Sequence, residues 1–206
     1  MNAFRIFISA LAIYITGTAV AQAQSYSSEA IDSLRYMIEE EKLAGDVYRS
    51  FGFLYPTIMP FKNIPRSEDM HVATLVGQAN AIGLDVSDLT SLAAGQFQNP
   101  ALQSLYLNLV AQGSTSSFAA LTVGKNIELL DIADLTAARA LIPTDSPLYA
   151  SYGSLMNASY NHLNAFNTWL ARTPVPAVPE PETYAMLLAG LAIVGGVARR
   201  NQRAIN

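Results

Sequence analysis

The sequence predicts an all-α fold: a four-helix bundle of long helices, with a short extra helix in the crossover between its halves. Three observations predict it. Apolar residues recur at spacings of three and four along extended stretches of the chain. Serine or asparagine caps followed by proline mark helix starts at Asn99-Pro100 and Ser146-Pro147. No alternating apolar–polar run is long enough to make a convincing strand.

The first helix is expected from Ser28 to Phe51, behind a serine-rich start, with Leu34, Met37, Ile38, Glu41, Ala44 and Tyr48 on its inward stripe. The second follows Asn63, takes Pro65 in its first turn and runs to Gly83, with Ile64, Glu68, His71, Leu75, Ala79 and Ile82 inward. A short third helix runs from Pro100 to Gly113. The fourth runs from Ser116 to Ala140, with Leu121, Gly124, Glu128, Asp131 and Leu135 inward. The fifth runs from Pro147 to Arg172, with Leu148, Leu155, Ser159, His162, Phe166 and Trp169 inward.

Each long helix therefore carries a metal-capable side chain near mid-length. Glu41 falls on the stripe, whereas Glu39 and Glu40 of the same acidic run are expected on a solvated face. Glu68 and His71 stand one turn apart, so both can grip one ion. Glu128 is flanked by Ile127 and Leu129. Asp131 reads equally as a ligand, a surface group or a partner of Lys125. His71 and His162 are the only two histidines. Taken singly, each has a plainer reading: a chance Glu-x-x-His pair, or a core histidine bonded to a carbonyl. Tyr48 and Trp169 read as packing. Taken together, four helices aim carboxylates and imidazoles at one interior, as in bundles that hold metals on facing helices. Oxygen and nitrogen donors suit iron or manganese, with zinc behind them.

The chain divides into four expected parts. Residues 1–23 read as a secretory signal, with Arg5, an apolar run from Ile6 to Ile15, and small-x-small sites at Ala19-Val20-Ala21 and Ala21-Gln22-Ala23. Residues 24–173 form the helical domain. Residues 174–182 are a proline-rich linker ending in Pro179-Glu180-Pro181-Glu182. Residues 183–206 form a C-terminal transmembrane segment, apolar from Tyr184 to Ala198, with Arg199, Arg200 and Arg203 behind it. This tripartite tail resembles the PEP-CTERM sorting signal of Gram-negative bacteria. The resemblance implies an exosortase-type sorting enzyme as partner, membrane attachment through the C-terminal segment on the periplasmic side, and delivery to the cell surface or extracellular matrix after processing.

Composition narrows the chemistry. The chain has no cysteine, which excludes disulfides and cysteine-built zinc or iron–sulfur sites. Asp and Glu outnumber Lys and Arg 16 to 12, with no basic stripe, so nucleic acid is not an expected partner. There is no Gly-rich phosphate loop and no G-x-S-x-G elbow. A homodimer is left open.

Several segments also resemble an uncharacterised bacterial and archaeal ferritin-like domain family: Glu39-Glu40-Glu41-Lys42-Leu43-Ala44 with Asp46-Val47-Tyr48, Ile64 through His71, Gly95-Gln96-Phe97, Leu105-Tyr106, Ile127 through Leu135, and Asn161-His162-Leu163 with Phe166. The family is similar to rubrerythrin-type and ferritin-type di-iron proteins. The likeness implies a ferritin-like bundle with Glu41, Glu68, His71, Glu128 and His162 as ligands, and Glu68 as the bridging one. Two departures bear on metal number. Ser159 stands three residues before His162, where a symmetric site has a glutamate. Leu129 stands where the family often has a second acid, and Asp131 is the candidate replacement. A di-iron centre and a single metal both stay open. The implied activities are ferrous ion oxidation or reduction of oxygen or peroxide. Whether the protein is an enzyme is open, and the alternative is a surface or matrix interaction protein whose bundle binds no metal.

Overall fold

The computed structural model describes residues 26–175. The expected signal segment, most of the linker and the expected transmembrane segment lie outside the described residues. Six helices make up the described part: α1 (Ser28–Leu54), α2 (Met59–Ala81), α3 (Ser87–Thr90), α4 (Pro100–Gly113), α5 (Ser117–Ala140) and α6 (Pro147–Leu170). Among the described residues there is no strand, and no helix is long and apolar enough to cross a membrane.

The capping signals act as the sequence implies. The side chains of Ser27, Asn99, Ser116 and Ser146 each accept a hydrogen bond from a first-turn backbone N–H. The second helix departs from expectation. It begins at Met59, with Pro60 in its first turn, so Pro65 lies in its interior. Pro65 has no N–H to offer the Phe61 carbonyl. That carbonyl lies against Gly52 of α1, where a Cβ would sit 3.0 Å from it. The glycine leaves room for this close approach. The short α3 was not expected, since four residues are too few to show a periodicity.

The four long helices pack in a closed circuit, α1 against α2, α2 against α6, α6 against α5, and α5 against α1. Short connections join α1 to α2 and α5 to α6. Two apolar clusters fix the directions. One gathers Tyr48 and Phe51 of α1, Phe61 and Ile64 of α2, Leu121 of α5 and Phe166 of α6. The other gathers Leu34, Leu75, Leu135 and Leu148, from the opposite ends of the same helices. Neighbours in the circuit therefore run antiparallel. The connection from α2 to α5 must travel the length of the molecule, and α4 lies within it, packed on α1 and α5.

Polar side chains of α1 clip this long connection in place, which corrects one expectation. Glu39 is buried, not solvated, and its carboxylate accepts the backbone N–H groups of Gln98 and Asn99. Lys42 donates to the carbonyls of Ala93 and Gln96 and pairs with Asp46 at 2.7 Å. Asp46 in turn accepts the N–H of Gly95. Gly95 has a φ of +75°, a conformation that favours glycine. Glu40 is also buried rather than solvated.

Tight helix contacts set sharp limits on side-chain size. A Cβ at Gly124 of α5 would lie 2.4 Å from the Phe166 ring of α6, while one at Gly77 of α2 would meet nothing within 4 Å. Gly124→Ala is expected to destabilise by about 1–2 kcal/mol, overpacking outweighing the gain in helix propensity. Gly77→Ala is expected to stabilise by up to about 1 kcal/mol. Urea midpoints of the two variants measured side by side check the opposite signs.

Candidate metal centre

Between the two apolar clusters lies a layer of acids and imidazoles, one contribution from each long helix. α1 supplies Glu41, α2 supplies Glu68 and His71, α5 supplies Glu128 and Asp131, and α6 supplies His162. Glu41, Glu68 and Glu128 are each 2% exposed. The His162 side chain is 12% exposed, so it lies nearest the surface.

Five of these residues converge in two overlapping donor sets, Glu41–Glu68–His71 and Glu68–Glu128–His162, with the donor atoms of each set within 4.8 Å of one another. His71 Nδ1 lies 3.0 Å from Glu41 Oε2 and 2.9 Å from Glu68 Oε2. His162 Nδ1 lies 3.0 Å from Glu68 Oε1 and 3.5 Å from Glu128 Oε2. Glu68 thus offers one oxygen to each imidazole. Asp131 belongs to neither set. Its Oδ2 accepts a hydrogen bond from Ser159, the residue standing where a symmetric site would have a glutamate.

Hydrogen bonding does not fully account for this convergence. One imidazole N–H points at one acceptor, yet each Nδ1 faces two carboxylates from different helices. His162 Nδ1, Glu68 Oε1, Glu41 Oε1 and Asp131 Oδ1 are buried without a well-directed partner. A cation would satisfy the unpartnered donors together. Ligands about 2.1 Å from one ion, at angles of roughly 90–110°, stand about 3.0–3.4 Å apart, close to the observed spacings. The buried Glu and His groups could therefore hold a metal ion.

Two hydroxyls support the donors and a third holds Asp131, and the sequence did not single them out for these roles. Tyr48, read as packing, donates to Glu128 Oε1 at 2.6 Å. Ser67 stands 3.3 Å from His71 Nε2. Ser159, read as a poor ligand, holds Asp131. The stripe placed Tyr48 and Ser159 inward, but hydrophobic spacing carries no information about where a hydroxyl points. Trp169 packs at the margin of the first apolar cluster.

Without a metal, protons bind the layer together. Burial lowers the pKa of His71, and hydrogen bonds to Glu41 and Glu68 more than offset this, holding it at about 10. Burial likewise opposes the Glu128 and Glu68 contacts of His162, which sits at about 9. Burial raises Glu68, but the two imidazoles outweigh it and bring the group down to about 2. Burial raises Asp131 to about 7 despite the Ser159 bond. Burial and the nearby Asp131 push Glu41 well above the carboxylate range.

Residues 30–173 match the family model of an uncharacterized protein domain, DUF2202, and the chain belongs to that family. Residues 177–203 match the PEP-CTERM protein-sorting motif. The motif supports an exported, membrane-associated precursor and implies processing by an exosortase. The chain is 37% identical over 144 residues to the uncharacterized protein MJ0754 of Methanocaldococcus jannaschii, covering 69% of this chain and 76% of that protein. A crystal structure of that hypothetical protein superposes with a TM-score of 0.68 at 33% identity, covering 81% of this chain and 95% of the other.

The raised histidines set the pH dependence of the metal-free protein. A group whose pKa is higher folded than unfolded contributes stability below its unfolded value and loses it as pH rises through the folded one. For His71 that window runs from 6.5 to about 10, and for His162 from 6.5 to about 9. Asp131, raised from 3.8 to about 7, adds a loss of the same sign at lower pH. Glu68, depressed from 4.5 to about 2, acts oppositely: its contribution is lost as pH falls through that range. In chelator, the urea midpoint is expected to fall between pH 6.5 and 10; a midpoint that rises over that interval contradicts this electrostatic picture.

Proposed function

We propose that this DUF2202 member is an exported, ferritin-like four-helix bundle that binds one or two metal ions, iron or manganese ahead of zinc, for redox chemistry. The observation that carries the reading is Glu68, which turns one carboxylate oxygen toward each histidine-containing donor set. Glu41 and His71 would complete one ion's ligands, and Glu128 and His162 the other's. Iron bound there would supply one-electron chemistry toward oxygen, peroxide or ferrous substrate. The antiparallel circuit with its long α2–α5 connection supports the ferritin-like assignment.

The surrounding residues have defined tasks in this reading. Tyr48 orients Glu128, and Ser67 fixes the ring of His71. Ser159 holds Asp131 beside Glu41, which offers a carboxylate on α5 in place of the missing glutamate on α6. Apolar side chains on both sides exclude bulk water, which strengthens the electrostatics inside. With no cysteine in the chain, electrons would have to come from an external donor. In the same proposal, residues 1–23 direct export, residues 24–173 form the mature domain, and residues 174–182 and 183–206 serve the linker and transmembrane sorting step at the periplasmic face before surface release.

A second reading has its own support. The raised histidines and depressed Glu68 make the layer a self-sufficient ion-pair network, suited to a metal-free interaction module at the cell surface. Elemental analysis of protein purified from its host decides between them. Iron or manganese is expected at one or two ions per chain. Glu68→Ala is expected to abolish loading at both positions, whereas His71→Ala and His162→Ala each weaken one. Tyr48→Phe, which leaves Glu128 unsupported, is expected to cost about 10–100-fold in affinity. Metal-free protein whose melting temperature ignores both chelator and added ion favours the second reading.

A further inference from the structure

Glu40 is the buried group that the metal centre does not use. It is 3% exposed, and neither of its buried carboxylate oxygens has a hydrogen-bond donor on a neighbouring group; the group within hydrogen-bond reach is another carboxylate, Asp134. The charged groups that act on it are Asp131 and Asp134 of α5 and Glu41 on its own helix, and all are acids. A buried, unsatisfied polar group costs on the order of 1–3 kcal/mol, more when charged. A proton shared with Asp134 would neutralise one charge and still leave the other Glu40 oxygen unpaired.

Its place in the groove between α1 and α5 is informative. Glu29, Ser33, Tyr36 and Glu40 succeed one another on α1 at spacings of four, three and four, so they share one face. Across from them, Asp131 and Asp134 lie one turn apart on α5. Glu29, Ser33, Tyr36 and Asp134 line a surface cavity of about 330 Å³. Glu29 is exposed, Tyr36 and Asp134 are half-buried, and Glu40 and Asp131 are buried. The polar stripe therefore descends from solvent to the edge of the donor layer in steps of one helical turn.

We propose that Asp134, Glu40 and Asp131 form a carboxylate relay that passes a divalent cation from this cavity to the buried donor sets. The proposal rests on the metal-binding reading above. Clefts lined by one sign of charge concentrate counter-ions and accelerate their capture. Oxygen-only donors hold a hard divalent ion loosely, while the nitrogen-containing sets beyond hold it more firmly, so transfer runs inward. The single-sign run of acids would thus serve uptake, and the mixed layer retention.

Cobalt(II) is a suitable probe, because its visible absorption reports coordination by imidazole and carboxylate. Metal is first removed from the exported protein by chelation, and uptake is followed by stopped flow. Glu40→Gln and Asp134→Asn are each expected to slow uptake by about tenfold or more with the same final cobalt per chain. Asp145→Asn, an exposed acid elsewhere, controls for net charge and is expected to keep the wild-type rate. Asp134→Asn decides alone if the buried variant does not fold. Wild-type rates in the relay variants, or a loss of final cobalt without a change in rate, overturn the relay and leave the metal centre standing. A wild-type protein that takes up no cobalt overturns both.

Discussion

Glu68 is the point on which the molecule is organised. Its carboxylate lies between two imidazoles in an interior from which water is excluded, with each oxygen about 3 Å from a different histidine nitrogen. A lone carboxylate in that position is prohibitively unfavourable. Compensation must come from other helices, since α2 itself contributes only His71. The circuit of four helices, their antiparallel order and the common level of Glu41, Glu128 and His162 along the bundle all serve that compensation. The apolar clusters on either side then lower the local dielectric and make each contact matter more.

This constraint also explains features far from the donors. α1 and α5 have to stay in register for Glu41 and Glu128 to reach the same layer. α4 packs on both, and it is anchored through the loop that precedes it. Glu39, Lys42 and Asp46 hold that loop by its backbone, through the N–H groups of Gly95, Gln98 and Asn99 and the carbonyls of Ala93 and Gln96. One face of α1 therefore faces the candidate site and another fastens the long connection. The acidic run Glu39-Glu40-Glu41 divides among three different surroundings because successive helical residues point about 100° apart.

That division shows where sequence reading succeeds and where it stops. The helix starts at Asn99-Pro100, Ser116 and Ser146-Pro147 were legible, because capping is local chemistry written within four residues. The inward positions of Glu41, Glu68, His71, Glu128 and Asp131 were legible from apolar spacing, and all five are buried. Glu39 and Glu40 were misread as solvated because a charge run usually is; the backbone N–H groups that Glu39 accepts belong to Gln98 and Asn99, and Glu40 faces α5, contacts that no local pattern can show. The start of α2 was placed late, since Pro65 resembles a first-turn proline, whereas the proline of the first turn is Pro60, five residues earlier. The Asp131–Ser159 contact joins two helices, so no periodicity along one of them could announce it.

The sorting motif at residues 177–203 gives this interior a setting outside the cytoplasm, where a cysteine-free chain must rely on packing and buried electrostatics for stability. The direct test of the metal reading is anomalous diffraction from crystals grown with iron or manganese, recorded at the absorption edge of that metal. Two peaks about 3.5–4 Å apart, one on each side of the Glu68 carboxylate, or a single peak in one donor set, are expected. An interior without anomalous density, in which His71 and His162 each donate an ordinary hydrogen bond to a glutamate, would contradict it.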